Sequence, residues 1–223
     1  FTGQVYAATP LGDKAGIDIA FTGQDQGKGF GFDKTINRDV RRQDFWGLRS
    51  KLVARPTDAL KITIAGDYYR TDDSTATYVW PLAYGTTTGI LTGTSISQDS
   101  LSEYPNITRI RVWGVSGKAE LDLGGVTLTS ISAYRKLRNN SAFDVDGGAA
   151  DNYHLFYTTR NSTFQQELRL SSNASEPLNW QIGAFYLHMV TDVDQPQGGA
   201  LLRGTTSHIV AHGVTDSISA FGE

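Results

Sequence analysis

Apolar and polar residues alternate along most of this chain with a period of two. In 60–69, Leu60, Ile62, Ile64, Gly66 and Tyr68 fall on one side; Lys61, Thr63, Ala65, Asp67 and Tyr69 fall on the other. Successive strand side chains point to opposite faces, so the alternation predicts a two-faced strand. Similar patterns predict strands over Gln4–Thr9, Ala15–Gln24, Arg42–Arg55, Leu60–Thr71, Arg109–Leu121, Val126–Arg138, Asn161–Ser172, Leu178–Thr191 and Gly213–Phe221. No segment carries a convincing helical period. Several segments exceed the roughly five or six residues usual in globular strands. They match the roughly 9–11 residues with which a tilted strand crosses a bilayer.

One design recurs: an apolar face backed by a face of small, polar and charged residues. Trp46, Leu48, Leu52 and Ala54 oppose Gly47, Arg49, Lys51 and Arg55; Trp113, Val115, Ala119 and Leu121 oppose Gly114, Ser116, Lys118 and Glu120. In "STFQQELRLSS", Phe164, Gln166, Leu168 and Leu170 oppose Thr163, Gln165, Glu167 and Arg169. Val126–Arg138 is less clean, because Val126, Leu128 and Tyr134 have one parity and Ile131 and Ala133 the other. A bulge near Ser130 would restore a single apolar face.

Short and long connections alternate. "PLGDK" (10–14), "PTDA" (56–59), "DLGG" (122–125) and "NASEP" (173–177) carry the Gly, Asp, Asn or Pro of tight turns. Between them lie Asp25–Val40, Asp72–Thr108, Asn139–Arg160 and Asp192–His212. An up-and-down sheet with one tightly closed end gives this rhythm, as in outer-membrane barrels. Trp46, Tyr68, Trp113, Tyr134, Trp180 and Tyr186 sit towards strand ends, where a membrane interface favours aromatic rings. Ordinary packing in a soluble β-sandwich is the competing reading of the same faces.

Composition narrows the classes. The chain has 223 residues, 39% hydrophobic and 19% charged, with net charge −3. It is too apolar for disorder and too acidic for a general nucleic-acid footprint, so no nucleic-acid partner is expected. Cysteine is absent, which excludes disulfides, thiolate zinc sites and thiol catalysis. No apolar run is long enough for a transmembrane helix. The chain begins without Met and ends inside a strand-like pattern, so it is expected to be a piece of a longer protein.

Several motifs resemble those of one family. "FQQELRLSS" (164–172) resembles the F-x-Q-E-L-R-L barrel strand of TonB-dependent outer-membrane receptors. "DFWGLRSKLVARPTDALKITIAGDYYR" (44–70), "GVTLTSISAYRKL" (125–137) and "SISAFGE" (217–223) are similar to further strands of these receptors, in the same order. The resemblance implies an all-β fold, an antiparallel up-and-down transmembrane barrel. Its full form has about twenty-two strands around a plug, of which this chain supplies about nine. It also implies an outer-membrane location, lipid contact, a plug domain and a TonB-touching region that this chain lacks, and uptake of a small-molecule substrate such as a ferric siderophore. A passive porin and a soluble carbohydrate-binding β domain are the alternatives.

Candidate chemistry is sparse. No catalytic constellation, cofactor site or metal site is expected. His208 and His212 have zinc-pair spacing only on a helix, and "SHIVAHGV" reads as loop running into strand. In "DVDGGAAD" (144–151), Asp144 and Asp146 read as a Gly-bearing turn rather than an ion loop. Extracellular aromatics offer rigid contact area, which makes Tyr78, Trp80, Tyr84, Tyr104, Tyr153, His154 and Tyr157 the candidate ligand-binding residues. Arg49, Lys51, Lys118, Glu120, Glu167 and Arg169 are expected to face the lumen or plug, pairing largely with one another.

Overall fold

The computed structural model describes residues 1–75, 99–173 and 178–223. Among the described residues eleven strands form: β1 (Thr2–Pro10), β2 (Ala15–Gln24), β3 (Gly31–Asp33), β4 (Arg38–Val40), β5 (Gln43–Ala54), β6 (Leu60–Asp73), β7 (Ile107–Asp122), β8 (Val126–Asp144), β9 (His154–Ser172), β10 (Gln181–Gly198) and β11 (Ser207–Gly222). Nine of them build one antiparallel sheet in the order β1-β2-β5-β6-β7-β8-β9-β10-β11. Each strand pairs with its sequence neighbour in that sheet, apart from the β3–β4 hairpin inserted between β2 and β5.

The tight turns gather at one end. Gly12 and Gly124 adopt φ of 74° and 96°, a region open to glycine without the steric cost other residues meet. Asp122 accepts from the Gly124 N–H at 2.9 Å and from Asn173 Nδ2 at 3.1 Å, which ties neighbouring turns together.

The sheet has little apolar core. Among the described residues only Val40 and Ile107 are buried hydrophobics, whereas nine polar or charged side chains are buried. Meanwhile Ile64, Val115, Leu168 and Ile182 stay 51%, 53%, 49% and 53% exposed. In β2, Ile17, Ile19 and Phe21 are exposed while Gly16, Asp18, Ala20 and Thr22 between them are half-buried. The apolar face is thus the open, outer one, and the charged face is the more enclosed, inner one. A water-soluble sheet would bury the opposite face.

Three expectations need correction. β8 runs in unbroken register against β7 and β9, so no bulge occurs near Ser130. Ser130 and Ser132 instead lie on the outer face, and Gln166 beside them satisfies both: Ser132 Oγ donates to Gln166 Oε1, and Gln166 Nε2 donates to Ser130 Oγ. Secondly, β8 to β11 extend far into the stretches expected as loops, leaving only 145–153 and 199–206 as connections there. These extensions carry polar residues on both faces, so they show no hydrophobic alternation, yet cross-strand backbone bonds hold them. Thirdly, Leu178 and Trp180 precede their strand, which begins at Gln181.

Candidate functional site

The inner face is a ladder of opposite charges. Lys51 Nζ lies 3.0 Å from Asp18, and Glu120 receives Lys118 at 2.7 Å and Lys61 at 3.5 Å. Arg169 pairs with Glu167, two residues away on the same strand. Arg135 reaches Asp67 at 2.6 Å by crossing β7, and Gly114 is the residue it crosses. A Cβ on Gly114 would sit 3.1 Å from Arg135 Nη2, so the missing side chain opens the path. Most of the expected lumen residues, Lys51, Lys118, Glu120, Glu167 and Arg169, are therefore paired, while exposed Arg49 has no ion pair among the described residues. Partly exposed pairs of this kind each add little stability, about 0–1 kcal/mol. Their effect is a near-neutral wall.

The long-loop end is where burial occurs. The β3–β4 hairpin docks on segment 99–106 through an Asp33–Ser100 bridge, a Thr35 Oγ1 bond to the Leu101 carbonyl (2.7 Å) and a Lys34–Asp99 ion pair (3.1 Å). Behind it runs a buried polar network. Ser100 Oγ donates to Ser102 Oγ at 3.0 Å, Asn106 Nδ2 donates to Ser102 Oγ at 3.0 Å, and the Asp144 N–H donates to Asn106 Oδ1 at 3.0 Å. Such a network ties segment 99–106 to the end of β8, because buried polar groups are stabilised by finding partners, although Asp33 Oδ2, Asp144 Oδ2 and both Glu103 carboxylate oxygens stay without a hydrogen bond.

Glu103, Asp144 and Asp146 converge there, with ligand-type oxygens within 4.8 Å of one another. Burial first, and the Asp144 and Asp146 charges next, push the Glu103 carboxyl up to about 7. Burial likewise raises Asp144. Asp144 Oδ1 also accepts from the Gly147 N–H at 2.8 Å, and Asp146 accepts from Gly148 (3.1 Å) and Tyr153 (2.7 Å), the turn role expected of both. Among the described residues this is the one group that could hold a cation, and without one the raised Glu103 carboxyl keeps its proton until the pH approaches about 7. Nothing in the sequence links Glu103 to Asp144, which lies forty-one positions further on.

The candidate ligand residues separate. The Tyr104 ring packs on His154 (4.3 Å between centroids) and edge-on to Phe156 (5.8 Å), and its hydroxyl donates to Asp151 at 3.3 Å. His154 Nδ1 also meets Asp151 at 2.6 Å. His154 and Phe156 have the parity of the outer face, so Tyr104 and His154 stand on the outer side of the rim. Tyr157 has inner-face parity opposite Ser141, and Tyr153 donates to Gln197 Oε1 at 2.8 Å. Tyr78, Trp80 and Tyr84 lie outside the described residues. His208 and His212 are both in β11 and pair separately with Asp194 (2.8 Å) and Asp192 (2.7 Å), so they do not converge on one ion.

No protein-family model matches the chain, and no curated protein matches it. Solved structures do. The ferric yersiniabactin uptake receptor FyuA from Yersinia pestis superposes with a TM-score of 0.65 at 12% identity, over 99% of this chain and 41% of its own. The RagAB peptide transporter gives 0.58 at 14% identity, over 99% and 30%. The ferric citrate transporter FecA, in its unliganded form, gives 0.56 at 10% identity, over 98% and 38%. This chain thus spans 30–41% of the length of those proteins. At such identities the likeness shows the fold alone, and that fold agrees with the one the sequence motifs imply: the chain folds as a nine-stranded antiparallel sheet like a section of the barrels of these transport proteins.

Proposed function

We propose that this chain is part of the wall of an outer-membrane receptor that actively imports a bulky, scarce nutrient such as a ferric siderophore. In this reading the outer face meets lipid, the inner face meets a plug domain supplied by other parts of the protein, and TonB delivers the energy by acting on regions outside this chain. The observation that carries it is the inverted sheet, apolar and open outside, charged and paired inside. Its height fits as well. On the outer face of β9, ten residues separate Leu170 from Arg160, or about 33 Å of strand at 3.3 Å per residue. A tilt near 45° reduces that to about 23 Å, close to the ~25 Å apolar band of such barrels. Trp46 and Tyr68 stack at 4.7 Å near the top of that band, where an aromatic girdle belongs.

Two of the structural neighbours are named for ferric yersiniabactin and ferric citrate and one for peptides, which favours an iron chelate without fixing it. The test is uptake of radio-iron-labelled siderophores by cells carrying the complete gene or its deletion. Uptake that needs the gene and stops with a proton uncoupler is expected. Gene-dependent uptake that ignores the uncoupler would identify a passive pore instead.

A further inference from the structure

Three carboxylates meet at the rim without a cation to neutralise them. Oxygens of Glu103, Asp144 and Asp146 lie within 4.8 Å of one another. Among the described residues no lysine, arginine or histidine makes an ion pair with any of them; the ion pair of this turn joins His154 to Asp151. Backbone N–H groups take up part of the charge. Asp144 Oδ1 accepts from Gly147 at 2.8 Å, Asp146 Oδ1 from Gly148 at 3.1 Å and Asp146 Oδ2 from Tyr153 at 2.7 Å. The remaining three oxygens are orphans. Asp144 is 0% exposed, and its Oδ2 has no hydrogen-bond partner among the described residues. Both Glu103 oxygens are likewise shut off from water and without a partner. Burying an ionised carboxylate unpaired is costly, so such a group keeps a proton or takes a cation. A proton shared between Glu103 and Asp144 would satisfy two of the orphans and leave the third bare.

The donor set says which cation. It is all oxygen, with no nitrogen or sulfur, which suits a hard ion. Glu103 has both oxygens free to bind at once. A bidentate carboxylate fits the wide, flexible shell of calcium, with roughly 6–8 oxygens at about 2.3–2.6 Å, better than the tight octahedron of magnesium at about 2.0–2.1 Å. Oxygens on a common calcium ion stand at most about 5 Å apart, as these do. We propose that Glu103, Asp144 and Asp146 bind one calcium ion, with Glu103 bidentate, Asp144 binding through Oδ2 and water completing the shell. The ion ties segment 99–106 to the turn that follows β8. Tyr104 comes directly after Glu103, and its ring packs on His154 just beyond that turn, so the ion also holds this aromatic pair in place. The site stands on the carboxylates and does not depend on the transport reading.

The test uses the complete protein in neutral detergent, stripped with EDTA and titrated with calcium chloride or magnesium chloride by isothermal calorimetry. Folded wild type is expected to bind calcium with a Kd of about 10⁻³ M or tighter, the range of extracellular calcium modules, and to prefer it over magnesium. Glu103→Gln keeps the length and shape of the side chain, and Asp144→Asn keeps those of the buried one. Each should weaken calcium binding about tenfold or more, at least as much as losing a group that merely supports a ligand. Asp13→Asn, an exposed position in a tight turn at the other end of the sheet, should bind calcium as wild type does. Calcium should also raise hydrogen-exchange protection of 99–106 and 145–153 in wild type and leave it unchanged in Glu103→Gln. No calcium binding by folded wild type, a preference for magnesium, wild-type affinity in Glu103→Gln, or equal loss in Asp13→Asn would overturn the site while leaving the barrel reading intact. Protection that rises equally in wild type and Glu103→Gln would overturn it as well.

Discussion

Placing a charge at Ile64 tests which face meets hydrocarbon. Ile64 is 51% exposed on the outer face, four residues above Leu60 and six below Arg70, close to the middle of the apolar band. Its register neighbours are Leu52 and Gly117, and neither can pair with a new charge. An arginine near the midplane of such a barrel costs about 2–4 kcal/mol. Ile64→Arg should therefore lower the folded-to-unfolded ratio by roughly 30- to 700-fold. Gln165→Arg is the matched control. Gln165 is exposed on the inner face, opposite Ala133 and Leu187, and a charge there should change stability by about 0.5 kcal/mol or less. The assay is urea unfolding of the complete protein in lipid vesicles, supported by heat-modifiability on gels. A neutral Ile64→Arg, or equal costs at both positions, would refute the face assignment.

Further outcomes follow from the inner face and the rim. Gly114→Val should crowd Arg135 and separate it from Asp67, at a cost of about 1 kcal/mol or less because the pair is partly exposed; loss of the Arg135–Asp67 coupling in a double-mutant cycle checks it. Gly183→Val should be far worse, because a Cβ there meets the Phe221 ring and comes 2.9 Å from the Leu168 carbonyl oxygen, which is backbone; a folding yield equal to wild type would contradict the packing. The Glu103 carboxyl is raised from 4.5 to about 7, so its protonated form is the one the fold favours. Its contribution to the rim is complete below about pH 4.5 and is lost as pH rises through about 7. In metal-free buffer, protection of 145–153, the exchange rate divided into its base-catalysed intrinsic rate, should fall over that interval in wild type and stay level in Glu103→Gln; the same fall in the variant would assign the effect elsewhere.

The alternation in 60–69 determined which residues share a face, because the period of a strand is two whatever surrounds it. The spacing of "PLGDK", "PTDA" and "DLGG" likewise determined which end closes tightly. Alternation failed in two places. At Ser130, Ser132 and Gln166 the polar residues satisfy one another across strands, a pairing a linear pattern does not reveal. In the upper parts of β8 to β11 apolar and polar residues mix on both faces, as Leu155, Phe156 and Tyr157 do in β9, so alternation gave no signal for strands that backbone bonds sustain.

Tertiary structure alone decided the partners. Glu103 meets Asp144 and Asp146, and Tyr104 meets His154, because β7, β8 and β9 bring separate connections to one rim. The outer-face row of Arg70, Arg111, Arg138 and Arg160 is the same kind of fact: they share no sequence motif, and only the register of four strands lines them up. A strand's faces are fixed by local geometry and are legible residue by residue. Register sums over turns and loops of unequal length, so what stands opposite what is settled only when the sheet is built.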